Sequence, residues 1–140
     1  MADHQNPPCP DLTWPRDRQE LDLGEHVGKL FLQGKELTQW PNQLFISNRK
    51  ASKAITLKQG KQHKSLKNLF QSASIPVWLR DSIPLCVMDG ELVAVGDWNL
   101  SEKFKSWLSQ NELDFSWQPG SPILQYIVAQ QHEKMGGGDG

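Results

Sequence analysis

Eight basic side chains stand between Leu37 and Arg80 with no Asp or Glu among them: Arg49, Lys50, Lys53, Lys58, Lys61, Lys64, Lys67 and Arg80. The chemistry open to such a run is polyanion binding. An ammonium group neutralises a phosphate as a point charge, and a guanidinium fork can hold one through two parallel N–H bonds. His63 adds a further donor within the run. The 140-residue chain has a net charge of only −1, because the remainder carries seven Lys and Arg against sixteen Asp and Glu. A chain polarised in this way can turn one basic face to a polyanion and keep the rest repulsive. The plainer alternative is a basic surface that meets only solvent.

Catalytic chemistry finds no comparable pattern. Serine, histidine and acidic residues occur in no spacing that specifies a nucleophilic triad. His4, His26, His63 and His132 are scattered, and no pair has helical metal-ligand spacing. There is no phosphate-binding loop, since the Gly136–Gly138 run has no helix after it. Cys9 and Cys86 fit no metal spacing, and Cys86 lies in an apolar strand, where a reduced, buried thiol is expected. No apolar run approaches a membrane span, and the opening Met-Ala-Asp-His lacks the pattern of a signal peptide. The expectation is a soluble, cytoplasmic chain with no membrane partner.

The elements that must position the basic residues follow from periodicity. Residues 1–11, with Pro7, Pro8 and Pro10, read as a flexible lead-in or linker, residues 12–128 as one domain, and residues 129–140 as a flexible tail. Short strands are expected at Leu12–Trp14, at Leu21–Leu23 and Val27–Leu32 around a glycine turn, and at Leu44–Ile46. Asn48 to Lys53 is a basic loop, and Ala54–Leu57 returns as a strand. Lys64 to Ala73 reads as a helix, with Leu66, Leu69, Phe70 and Ala73 on one face and Lys64, Lys67, Asn68 and Gln71 on the other.

Pro76 suits the first turn of a second short helix carrying Val77, Trp78, Leu79 and Arg80, and Ile83-Pro84 ends it. Trp78 is expected in the core. Arg80, followed by Asp81, reads equally as half of a local ion pair or as a phosphate ligand. Leu85–Met88 and Leu92–Val95 flank Asp89-Gly90, the strongest short-range signal for a tight hairpin. Ser101 can cap a helix from Glu102 to about Gln110, with Phe104, Trp107 and Leu108 on one face. Phe115–Trp117 is a last strand, and Trp98, Trp107 and Trp117 read as core or domain-edge packing.

At Lys64-Ser-Leu-Lys-Asn-Leu-Phe-Gln71, Ile75-Pro-Val-Trp-Leu-Arg-Asp81, Ile83-Pro-Leu85 and Asp89-Gly-Glu-Leu-Val-Ala-Val95, in that order, the chain resembles the C-terminal domain of bacterial tRNA(Ile)-lysidine synthetase. The close part of the resemblance spans roughly Leu44 to Trp98. It is weaker upstream at Trp14, Leu21, Leu23 and Gly28, and downstream at Phe115 to Trp117. Where that family has a glycine-rich turn after the arginine, this chain has Ala51 and Ser52.

The resemblance implies a mainly β, layered sandwich or barrel-like domain with short helices, similar to the fold shared with a domain of the phenylalanyl-tRNA synthetase β subunit. It implies recognition of tRNA(Ile), at its acceptor-stem region, by a non-catalytic part of the ligase that joins lysine to the wobble cytidine. It places Lys61, His63, Lys64 and Lys67 on a tRNA-facing surface; Arg49, Lys50 and Lys53, with the reach of a loop, and Arg80, a guanidinium near a helix end, complete the candidate RNA ligands. ATP, magnesium and lysine belong to a catalytic lysidine synthetase domain with a Ser-Gly-Gly-x-Asp-Ser type loop, which nothing in this chain matches. The chain itself is then expected to need no cofactor. A reading from another class is a protein-interaction module that reuses this domain to bind an acidic partner or a separate catalytic subunit.

Overall fold

A computed structural model describes residues 7–34, 40–52 and 54–137. The strands in chain order are β1 (Leu12–Trp14), β2 (Glu20–Asp22), β3 (Lys29–Gly34), β4 (Leu44–Ser47), β5 (Thr56–Gln59), β6 (Gln62–Ser65), β7 (Leu85–Met88), β8 (Glu91–Val95), β9 (Asn99–Leu100) and β10 (Leu113–Gln118). Helices α1 (Leu66–Ser72), α2 (Glu102–Gln110) and α3 (Pro122–Gly137), with a 3-10 helix at Val77–Ser82, complete the described elements. The larger sheet runs β1-β4-β7-β8-β5-β6, with β9 also paired to β8, and the smaller runs β10-β3-β2. The domain is mainly β, as expected.

The β7–β8 hairpin is the centre of the larger sheet, and its residues explain why. Asp89 and Gly90 both have positive φ, 54° and 76°, the pair of values that a type I′ turn requires and that matches strand twist. Leu92, Val93, Ala94 and Val95 are all buried, so both faces of β8 are covered. The two sheets share one core. Trp98, just after β8, stacks on Trp117 of β10 with ring centroids 6.2 Å apart. Phe104 of α2 meets Phe115 of β10 edge-on at 5.2 Å. Ser101 caps α2 by accepting from the Phe104 amide at 3.1 Å.

Four expectations are corrected by the structure. Lys64 is not helical: Ser65 is the N-cap of α1, its hydroxyl accepting from the Asn68 amide, and Gln62–Ser65 pairs with β5 as an edge strand. The turn between them is Gly60-Lys61, and Gly60 at φ +62° supplies the conformation that lets the chain double back. Trp78 is not core but 62% exposed. A 3-10 helix has three residues per turn, so Leu79 and Ser82 share its inward edge and Trp78 is rotated off it.

At the termini, Cys9 is fully buried in the stretch read as a lead-in. The stretch read as a tail continues α3 through Gly137, with Gln131 buried and donating to the Ala73 carbonyl at 3.0 Å. Both free thiols are buried; burial raises Cys86 above the ordinary thiol range and, with the Asp11 charge, raises Cys9 to about 12.

Helix α1 ends in a Schellman arrangement: the Ile75 amide donates to Phe70 O and the Ser74 amide to Gln71 O, both at 3.0 Å. Ser74 therefore sits at φ +58°, where a Cβ is costly and glycine is not. Replacing Ser74, which is exposed, by Gly should stabilise the fold by about 0.5–1 kcal/mol. Urea unfolding checks this; a lower midpoint for Ser74→Gly would mean the strain at this cap is absent.

Candidate nucleic-acid interface

The basic turn after β4 is built by a side chain. Asn48 is buried, and its Oδ1 accepts from the amides of Lys50 and Ala51 at 3.0 and 2.9 Å, while its backbone carbonyl accepts from Ser52 N at 2.9 Å. An asparagine that bonds to the backbone two residues on closes a turn without glycine. This accounts for Ala51 and Ser52 in this place. The turn delivers Arg49 to the 3-10 helix, where its Nε donates to Asp81 Oδ1 at 2.6 Å, and Lys50 Nζ lies 3.2 Å from Asp81 Oδ2.

Burial alone would raise the Asp81 carboxyl. The hydrogen bonds from Arg49 and Lys50, with their charges, outweigh it and hold the group below the ordinary carboxylate range.

Arg80 does not pair with its neighbour Asp81. Its Nε donates to the Ile75 carbonyl at 2.9 Å, and its guanidinium lies over the Phe70 ring, 5.6 Å from the centroid. Arg49 and Arg80 are thus held in the same way, each through Nε. Among the described residues, no partner takes up the Nη nitrogens of either guanidinium. Both arginines line one open groove of about 360 Å³, with Lys67 of α1 as the third cation and Ile55, Leu66 and Phe70 as its apolar wall. Two guanidiniums fixed at the base and unengaged at the tip suit bidentate capture of phosphate oxygens, with little side-chain entropy left to lose.

The other candidate residues are dispersed. Lys64 faces the same side of its hairpin as Leu57 and lines a different groove of about 520 Å³, together with Asn68 and Gln71 of α1 and Lys134 of α3. Lys61 is at the tip of the β5–β6 turn, and His63 is exposed beside Lys58, on the side opposite Lys64. Lys58 itself lies 4.0 Å from Glu91. Lys53 falls outside the described residues. The structure therefore brings Arg49, Lys67 and Arg80 together, places Lys50 behind them on Asp81, and separates Lys61, His63 and Lys64 from them.

Two contributors to these grooves leave no functional signal in the sequence. Phe70 lies in the core, as its helical spacing predicts, and it also seats a guanidinium. Lys134 lay in the stretch read as tail. Among the described residues, no three His, Cys, Asp or Glu side chains gather as a metal site, and no helix is long and apolar enough to cross a membrane.

The fold and the groove define a small, mainly β domain equipped with oriented cations. Residues 44–117, more than half of the chain, match the family model described as the TilS substrate C-terminal domain, and the chain belongs to that family. The tRNA(Ile)-lysidine synthase of Xylella fastidiosa (strain Temecula1) is 30% identical over 118 residues, covering 78% of this chain and 27% of that protein. That of Xanthomonas campestris pv. campestris (strain 8004) is 27% identical over 116 residues, with 79% and 27% covered. A shorter match, 48% identical over 42 residues, is to the tRNA(Ile)-lysidine synthase of Methylococcus capsulatus, covering 29% of this chain and 10% of that protein. The chain spans about a quarter of the length of the first two relatives, 27% in each.

The depressed Asp81 carboxyl fixes the sign of a pH effect. Its ion-paired form stabilises the fold above the unfolded carboxylate value, near 3.9, and that contribution is lost as pH falls through the lower folded value. Asp81→Asn should cost about 1–2 kcal/mol at pH 7, a difference that shrinks towards pH 2 as the wild-type carboxyl protonates. Denaturant unfolding of both proteins across that range is the measurement. A difference that stays constant with pH would show that the charge of Asp81 contributes nothing.

Proposed function

We propose that this domain recognises tRNA(Ile) at its acceptor-stem region, serving a ligase that converts the wobble cytidine to lysidine. The observation that carries the reading is the pair of guanidiniums anchored through Nε in one groove with Lys67. The relatives, which are tRNA(Ile)-lysidine synthases, supply the substrate of this reading.

A stem of A-form RNA presents phosphates and 2′-hydroxyls around a wide, shallow minor groove, a surface that fixed arginines and a flexible lysine can meet without reading bases. The acidic remainder of the chain would disfavour other orientations of the RNA. In this reading ATP, magnesium and lysine are handled by a catalytic domain, and the present chain contributes affinity and orientation. Ligation itself then depends on the catalytic domain reaching the anticodon while this domain holds the other end of the same molecule.

Titration of unmodified tRNA(Ile) with the full chain over a range of salt concentrations tests the reading. Lys67 is exposed on α1, and Ala is a good helix former, so Lys67→Ala should leave the fold intact. It should weaken binding and flatten the dependence of log affinity on log salt by roughly 0.7–0.9, the loss of one phosphate contact. Lys105→Ala, on the exposed side of α2, should bind like wild type. A Lys67→Ala protein with unchanged affinity and slope would remove this groove from the interface and turn attention to the one lined by Lys64 and Lys134.

A further inference from the structure

Among the described residues, the largest apolar side chain left in solvent lies on the short helix that contributes Arg80 to the cationic groove. Trp78 is 62% exposed and Val77 beside it 60%. Among the described residues, the indole N–H has no hydrogen-bond partner. Every other described tryptophan, namely Trp14, Trp40, Trp98, Trp107 and Trp117, is buried. A single exposed apolar residue is ordinary, but an indole with a contiguous valine presents a flat apolar surface that water covers poorly.

The geometry of the 3-10 helix says what surrounds that surface. Residues three apart eclipse one another along the axis. Val77 therefore stands over Arg80, and Trp78 over Asp81, about 6 Å along the helix. Asp81 is the residue that draws in Arg49 and Lys50, and two cations on one carboxylate leave the spot net positive. By this spacing Trp78 shares a column with Asp81, which holds Arg49 and Lys50, and stands next to the column of Arg80.

A flat aromatic face bordered by cations complements a ligand that alternates flat apolar surfaces with negative charge. Single-stranded nucleic acid has that composition. Bases inside a stem are already stacked and paired, and the deep, narrow major groove of A-form RNA admits no indole, so the base that meets Trp78 must be unpaired.

We propose that Trp78 is a stacking platform for an unpaired nucleotide that emerges from an RNA stem whose phosphates are held by Arg49, Lys67 and Arg80. The proposal rests on the RNA-binding reading above and adds to it a second, charge-independent contact. It also assigns the partner's form: a junction between a paired and an unpaired strand, instead of a uniform duplex. Because stacking is tolerant of base identity, the platform sets the position of the RNA along the groove and not its sequence.

The test uses the full chain and two synthetic RNA hairpins with the same stem, one blunt and one ending in a short unpaired 3′ strand. Wild type should bind the overhanging hairpin more tightly than the blunt one. Trp78→Leu should lose about tenfold in affinity for the overhanging hairpin, the worth of one base–aromatic stack. It should bind the blunt hairpin as wild type does and keep an unchanged salt slope. Trp78→Phe, which retains a ring, should recover most of the loss.

Equal affinities of Trp78→Leu and wild type for the overhanging hairpin would overturn the proposal, while salt-dependent binding left the groove reading standing; the indole would then be free for an apolar protein partner. An equal loss for both hairpins would also overturn it, since the residue would then act on the stem or on the fold. If neither hairpin nor tRNA(Ile) bound wild type in a salt-dependent way, the RNA reading itself would fall, and this proposal with it.

Discussion

The backbone of one residue near the N-terminus, Cys9, ties together the two segments that form the cationic groove. The Cys9 amide donates to the Asp81 carbonyl at 2.9 Å, and the Cys9 carbonyl accepts from Asn48 Nδ2 at 2.7 Å. Asn48 ends the β4 segment and shapes the basic turn; Asp81 belongs to the 3-10 helix. The buried Cys9 segment is therefore a bridge between the two pieces of chain that supply Arg49 and its carboxylate. Ser82 extends the bridge by donating to the Pro7 carbonyl at 2.7 Å, and His26 Nε2 lies 3.0 Å from the same hydroxyl. Buried polar groups left unpaired are expensive, so each of these bonds constrains the others. Loosen the bridge and Arg49 becomes an ordinary mobile arginine on a loop.

That arrangement also explains how a groove can be both cationic and stable. Three positive side chains around one cavity repel each other, and a mobile set would spread into solvent. Asp81 offsets part of the repulsion from behind, while the Ile75 carbonyl and the Phe70 ring do the same for Arg80. In both arginines the anchor is Nε, which leaves the outer edge of the guanidinium for a ligand. The apolar face of α1 serves the site as well as the core, since Phe70 is buried and still lies under a charge. Order at the anchors lowers the entropic cost of binding, which is the advantage of fixed over floppy cations.

The parts of this structure that are local in sequence were legible in it. Asp89-Gly90 specified its turn because both residues tolerate positive φ, and Ser101 specified the start of α2 because its hydroxyl can reach the Phe104 amide. Strand β6 was not legible, since Gln62-His63-Lys64-Ser65 has no apolar alternation; as an edge strand it is held by pairing with β5 and not by burial of its own side chains. Trp78 reads as core because its apolar neighbours suit a 3.6-residue period, whereas the segment has a period of three. The ion pair between Arg49 and Asp81 joins residues 32 apart and leaves no trace in spacing. The basic run disclosed the chemistry of the surface, but which cations converge was decided by tertiary contacts that no short window contains.

The central claim is that the basic turn, α1 and the 3-10 helix act as one RNA-facing surface. Amide hydrogen exchange of the full chain with and without saturating tRNA(Ile) tests it most directly, because it reads every segment at once. The account predicts slowed exchange in Arg49–Ser52, in Lys67–Phe70 and in Leu79–Ile83, with little change in α2 or in the Gly24–Lys29 turn. Protection confined to α2, α3 or the smaller sheet, with the three groove segments unchanged, would contradict it.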